Sequence, residues 1–290
     1  MREYFDNIFA LGDIHGKWQP IRDFWLANKL KYKMMNKDNV MILLGDSGLN
    51  YFFNYRDEEV KKKLCNFPFI YFVIRGNHEE RPSICMQKYP DKWHIETFWG
   101  NTVYVENDYP QIKYALDNIA IYSIPCRVDL DEEGDLVIKN LKTLVIPGAY
   151  SVDKHYRLAN GWSWFEQEQL SEDEVAAGRE IIQRAGKDFD LVLSHTCPII
   201  YEPTDLFLSC VDQSMVDKSM ERFLGEIEYS INYKLWLWGH YHALRIYPRT
   251  NNDLSQPMML FNEKALDVQD YFETYNYYND ANFEPMILER

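Results

Sequence analysis

Five short apolar runs, at residues 8–11, 40–44, 69–74, 191–193 and 235–238, each stop abruptly at a polar turn. Continuous apolar runs of this length suit strands buried on both faces, and so a sheet covered on either side. The first run ends in Gly12-Asp13-Ile14-His15-Gly16, the second in Gly45-Asp46-Ser47-Gly48 and the third in Arg75-Gly76-Asn77-His78-Glu79. The fourth ends in Ser194-His195-Thr196 and the fifth in Gly239-His240-Tyr241-His242. Glycine permits a sharp turn and the close approach of another group. Residues i and i+2 of an extended backbone point to one side. Asp13 with His15, and His240 with His242, are therefore expected to aim at a common point. A carboxylate and an imidazole converging there suit a divalent metal.

Helical stretches separate the first three runs. Residues 18–30 place Ile21, Phe24, Trp25 and Leu30 at helical spacing, and residues 55–66 carry the charged face of a second helix. Strand–helix–strand repeats imply a parallel sheet. In such sheets ligands lie beyond the carboxyl ends of the strands, where these polar turns fall. From residue 102 to 146, short β-like runs alternate with turn signals such as Asp108-Tyr109-Pro110 and Glu133-Gly134-Asp135. That texture predicts an antiparallel region or a second sheet. Residues 148–164 read as a loop. Ser171 and Glu174 form a capping box, with Leu170 and Val175 as its apolar staple, for a helix ending near Gly186. A further helix is expected over 215–229 and two strands over 243–261. The chain reads as one domain over residues 1–262, with an acidic, tyrosine-rich extension over 263–290 packed on it.

With 290 residues, 46% of them apolar, the chain can build one large core. A formal net charge of -14 repels polyphosphate backbones, which disfavours general nucleic-acid binding. The five cysteines are odd in number and include no C-x-x-C, which argues against a disulfide framework or a thiolate zinc site. Reduced thiols in a soluble, cytoplasmic protein are expected. No apolar run reaches membrane-spanning length, and the first residues lack the basic-then-apolar pattern of a signal peptide.

Of the seven histidines, only His94 and His155 lie outside the polar turns. The blocks Gly-Asp-Ile-His-Gly, Gly-Asp-Ser-Gly, Gly-Asn-His-Glu, a lone histidine after a strand, and Gly-His-Tyr-His stand in that order between residues 12 and 242. Together they resemble the calcineurin-like metallophosphoesterase superfamily. The resemblance implies an α/β fold: an α/β/β/α four-layer sandwich of two packed mixed sheets with a dinuclear metal centre. It implies one metal on Asp13, His15 and His242, a second on Asn77, His195 and His240, and Asp46 between them. Two metals roughly 3.5–4 Å apart need a shared anion, which a carboxylate supplies. It further implies hydrolysis of phosphate esters by a hydroxide bridging the two metals. Asn77 and His78 would then meet the substrate, with His78 as general acid or as a donor to the phosphate. Oxygen and nitrogen donors without thiolate suit Mn²⁺, Fe, Zn²⁺ or Co²⁺; manganese is the expectation taken forward.

Taken singly, several of these residues have plainer readings. Asp46 could cap a helix, although Ser47-Gly48 is a poor helix start. Asn77 alone would be a turn residue, and His195 alone a structural histidine. Their shared position at strand ends favours ligation. Arg75, Arg81, Arg127 and Arg157 read as surface or structural ion pairs in preference to phosphate clamps, and Trp162 and Trp164 as core in preference to cleft lining. Arg75-Gly76-Asn77-His78-Glu79 is similar to the serine/threonine phosphoprotein phosphatase branch. That branch has Asp-Arg-Gly in the second block, where its arginine grips phosphate; here the stretch reads Ser47-Gly48-Leu49-Asn50. The expected activity is a metal-dependent phosphoesterase, with a phosphomonoester ahead of a phosphodiester. A phosphorylated small molecule or a phosphoprotein would be its substrate. The alternatives are a nuclease-like phosphodiesterase and a catalytically silent scaffold of the same fold.

Overall fold

The computed structural model describes residues 4–35, 38–130, 136–248, 255–275 and 287–289; the turn expected at Glu133-Gly134-Asp135 lies outside them. Strands β1 (Asn7–Leu11), β2 (Asn39–Leu43) and β3 (Phe69–Val73) pair in parallel, with Ile8 opposite Val40 and Val40 opposite Ile70. Helices α1 (Gln19–Asn28) and α2 (Tyr55–Leu64) make the two crossovers. The Asn54 side chain caps α2 by accepting from Arg56 N–H. Asp57 and Glu58 lie in its first turn and Lys61, Lys62 and Lys63 in its last, matching the helix dipole. After α3 (Pro82–Lys88) come β4 (Trp93–Phe98), β5 (Asn101–Glu106) and β6 (Ile112–Tyr114).

The second sheet begins with β7 (Ala120–Leu130) and β8 (Leu136–Ile146), a long antiparallel pair. Then follow α4 (Lys154–Ala159), α5 (Glu172–Ala185), β9 (Leu191–Ser194), α6 (Ser219–Ser230) and β10 (Leu235–Trp238). The chain closes with β11 (Arg245–Ile246), β12 (Gln256–Met259), β13 (Lys264–Asp267), α7 (Val268–Tyr275) and β14 (Ile287–Glu289). One sheet has the order β14-β13-β1-β2-β3-β6-β5-β4 and the other β11-β12-β10-β9-β8-β7. Both are parallel at the centre and antiparallel at their edges.

Strand alternation divides the apolar residues into layers. Ile8, Ala10, Val40, Ile42 and Phe72 face Leu191, Leu193, Leu235, Leu237 and Met258 between the sheets. Their neighbours Phe9, Leu11, Met41, Leu43, Tyr71 and Val73 turn the other way, onto Phe24 of α1 and Val60 and Leu64 of α2. Val192, Trp236 and Trp238 turn out from the second sheet onto Ile182 of α5 and Phe223, Leu224 and Ile227 of α6. The result is the four-layer α/β/β/α sandwich, and it explains why these strands read as unbroken apolar runs. Each large side chain so buried contributes about 1.5–3 kcal/mol.

The capping box of α5 is present, and Leu170 and Val175 join one apolar cluster. Several local expectations need correction. In place of short runs, residues 136–146 form the single strand β8, and β4 has no counterpart among the expected elements. The loop 148–164 contains α4. Helix α6 starts at Ser219, after a short 3-10 turn at Gln213–Met215. Trp162 is 52% exposed and is no core residue, while the half-buried Trp164 donates its indole N–H to Glu168 Oε2 at 2.9 Å.

Candidate metal centre

The five polar turns meet beyond the carboxyl ends of β1, β2 and β3 in one sheet and β9 and β10 in the other. His15 Nε2 lies 2.7 Å from His242 Nε2. Both Asp13 oxygens accept from the backbone N–H of His240, at 3.0 and 2.9 Å. His195 Nδ1 lies 2.7 Å from the Leu44 carbonyl, and its Nε2 lies 2.9 Å from Asn77 Oδ1 and 3.4 Å from Asp46 Oδ1. Asp46 sits at the middle. Its Oδ1 accepts from His78 N–H at 2.9 Å, and its Oδ2 is 3.8 Å from His78 Nε2 and 4.0 Å from His15 Nε2. The His240 ring faces that of His195, with centroids 5.1 Å apart. All eight residues singled out in the sequence are thus brought together.

The way the backbone aims them differs from the expectation of alternation along extended chain. Asp13, His15, Asp46, His240 and His242 have φ of 23°, 45°, 47°, 70° and 53°, the left-handed region. They are five of the eight non-glycine residues with positive φ among the described residues. Such conformations cost about 1–3 kcal/mol each and persist where the surroundings dictate them, commonly at functional sites. Two neighbouring glycines are required by close approach. A Cβ on Gly76 would stand 2.1 Å from Asp46 Oδ1, and one on Gly239 would stand 2.3 Å from Asp13 Oδ2.

Burial and charge set the protonation states. Burial pushes the Asp13 carboxyl up, the charge of His195 opposes it, and that of Asp46 reinforces it. Burial acts the same way on Asp46, but His195, His78 and His15 together hold it well below the ordinary range. Burial pushes His195 down, yet Asp46 and Asp13 outweigh it and lift the imidazole to about 9. His15 is pushed down to about 4, chiefly by burial against the pull of Asp46. His240 is likewise lowered by burial and by the charge of His195. Buried Glu79, quoted in the third block but given no role, rises to about 7 through burial and the charge of Asp46. It accepts from the Ser47 hydroxyl, from Gly48 N–H at 2.7 Å and from Gly76 N–H at 3.2 Å, tying the second turn to the third.

The segment from 148 to 168 supplies partners that the sequence pattern did not reveal. Asn77 Nδ2 donates to Ser151 Oγ at 2.9 Å, and Ser151 Oγ donates to Glu168 Oε2 at 2.5 Å. Arg81, Arg127 and Arg157 form the expected ion pairs, and Arg75 forms none among the described residues. Arg75 is buried and donates to the carbonyls of Glu168 and Gly76; Arg81 pairs with Glu174; Arg127 pairs with Glu273. Arg157 makes the expected ion pair and adds a contact to the site. It pairs with Asp153, but its Nη2 also reaches His78 Nε2 at 3.1 Å. Nothing periodic marks α4 in the sequence, so this contact had no readable signal.

The fold is that of a metallophosphoesterase. The chain matches the calcineurin-like phosphoesterase family over residues 7–244, and it belongs to that family. Among solved structures it is similar to TT1561 of Thermus thermophilus, at 12% identity, 91% of this chain, 94% of that chain and a TM-score of 0.46. It is also similar to a dimetal phosphatase from Danio rerio, at 10% identity, 90% and 94% coverage and a TM-score of 0.46. Phosphopantetheinyl hydrolase from Mycobacterium tuberculosis is a third, at 12% identity, 94% and 93% coverage and a TM-score of 0.41. No curated protein matches the sequence.

Membership implies a hydrolase of phosphoester bonds that uses two divalent metals. The residues present fit such ions. Asp13, His15 and His242 offer donor atoms within 4.8 Å of one another, as do Asp13, Asp46 and His195. Among the described residues no helix is long and apolar enough to cross a membrane.

Proposed function

We propose that this chain is a metal-dependent phosphomonoesterase. In this reading Asp13, His15 and His242 hold one divalent cation, Asn77, His195 and His240 hold the other, and Asp46 is shared. One observation carries it. Asp13 and Asp46 are buried side by side, 1% and 2% exposed, and among the described residues only histidines pair with Asp46 and no lysine or arginine pairs with either. Two buried carboxylates whose only counter-charge comes from a histidine are costly, and a site that binds cations relieves that cost. Bound there, the ions would supply Lewis acidity, lower the pKa of water and offset charge on the phosphoryl oxygens.

The chain's own residues prepare the rest. The Leu44 carbonyl accepts a hydrogen bond from His195 Nδ1–H and leaves Nε2 as the ligand atom. Ser151 engages the Asn77 amide nitrogen and turns Oδ1 inward. Asp46 fixes the third turn by accepting from His78 N–H, which holds the His78 ring over the site. His78 is the proposed donor to the phosphoryl or leaving oxygen.

A phosphorylated small molecule or phosphoprotein fits better than nucleic acid, because the net charge of -14 opposes a polyanion. Manganese is the metal we favour, and five cysteines outside any disulfide among the described residues fit the reducing cytoplasm. The test is turnover by protein reconstituted with Mn²⁺. Hydrolysis of p-nitrophenyl phosphate without its bis-ester supports the reading. The reverse preference makes the chain a diesterase, and no turnover of either with metal verified as bound makes it a scaffold.

A further inference from the structure

We propose that Arg157, delivered by the short helix α4, is the residue that grips the substrate's phosphoryl group, in place of the arginine that the second turn lacks. The inference rests on the phosphoesterase reading of the site. Its guanidinium is tethered along two edges. Nε donates to Asp153 Oδ1 at 2.7 Å, and Nη1 donates to Tyr51 OH at 2.8 Å. These contacts fix the plane of the fork and present Nη2 to the site, where it meets His78 Nε2 at 3.1 Å. That same nitrogen of His78 lies 3.8 Å from Asp46 Oδ2, so Arg157 faces the space the carboxylates enclose. The Arg157 side chain is 12% exposed, shielded from bulk water yet reachable.

Guanidinium has five donors and no acceptor, and a phosphate offers only acceptor oxygens. An oxygen entering between Arg157 and His78 can accept from both. In a chain of net charge -14, a fixed cation at the mouth of the site is what draws an anion in. The neighbouring Lys154 does not serve, because its ammonium lies over the Trp164 ring at 4.0 Å. Arg81 and Arg127 are committed to carboxylates, and Arg75 is buried with Nη1 on the Glu168 carbonyl, its Nε and Nη2 having no partner among the described residues.

The experiment is calorimetric titration of inorganic phosphate into the metal-loaded protein, alongside p-nitrophenyl phosphate kinetics, for the parent, Arg157→Ala and Arg157→Lys. We expect about tenfold to a hundredfold weaker phosphate binding in Arg157→Ala, with metal content and melting temperature held. Arg157→Lys should lie nearer the alanine variant than the parent, because an ammonium cannot fork. Low millimolar guanidinium should restore part of the alanine variant's binding, a rescue that a merely structural role would not give. Phosphate affinity within twofold of the parent, loss of metal in the variant, or a parent that binds no phosphate overturns the proposal. Should Arg157→Ala unfold, Arg157→Lys carries the test by the same criterion. A parent that binds phosphate through Arg157 but turns over no ester defeats the proposed function and leaves this inference standing.

Discussion

Asp46 sits among three histidines of the site, its oxygens within 4.0 Å of nitrogens on His15, His78 and His195. Replacing it with asparagine keeps the shape and removes the charge. Asp46→Asn is therefore expected to lower metal content and to cut turnover by about a thousandfold or more, read by elemental analysis and steady-state kinetics. His78→Ala should keep both metals and lose about 10²–10⁴ in kcat; a lost ion would make His78 a ligand instead. Gly76→Ala would press a methyl against Asp46 Oδ1, 2.1 Å from the ideal Cβ, and should disturb metal binding although no ligand is changed. These residues were legible because glycine, acid and histidine at the end of an apolar run have few bland explanations. Two things were not. The left-handed backbone at Asp13, His15, Asp46, His240 and His242 leaves no mark in composition. Arg157 looks like any surface arginine until the fold carries it from residue 157 to His78.

Elements buried on both faces announced themselves, and half-exposed ones did not. β1, β2 and β3 are all but fully buried, so their apolar runs are continuous. β4 reads Trp-His-Ile-Glu-Thr-Phe and is buried only at its ends, so its sequence passes for a loop. β8 passes for short separate runs because Lys139, Asn140 and Lys142 interrupt its apolar residues. Helix α6 carries a further expectation. Its buried Glu221 accepts from Thr196 Oγ1 at 2.7 Å through Oε1, while Oε2 has no partner among the described residues. Burial pushes this carboxyl from 4.5 to about 7. The folded state then keeps a proton that the unfolded chain releases, so the stability it confers is complete below pH 4.5 and is lost as pH rises through about 7. Glu221→Gln keeps Oε1 and cannot ionise. Its melting temperature minus the parent's should widen from pH 4.5 to about 7 and then level off; a gap that does not change with pH contradicts this.

At the scale of the whole molecule, the site belongs to neither sheet alone. Asp13, His15, Asp46, Asn77 and His78 come from turns of the first sheet, and His195, His240 and His242 from turns of the second. The apolar layer between the sheets sets the distance between the two groups, since Leu193 and Leu237 pack against the same cluster as Ile8 and Ile42. The tail joins this frame: β13 pairs with β1, Phe9 opposite Asp267, and the Asn262 side chain donates to the Asp13 carbonyl at 2.9 Å. No period in the sequence after Asn262 foretold that, because the pairing is set by a partner more than two hundred residues away. Turns of both sheets are expected to cage two cations. Anomalous diffraction from crystals soaked in Mn²⁺ tests it most directly. Two peaks are predicted, one against Asp13, His15 and His242 and one against Asn77, His195 and His240, with Asp46 touching both. Peaks lying away from these side chains, or none, would contradict it.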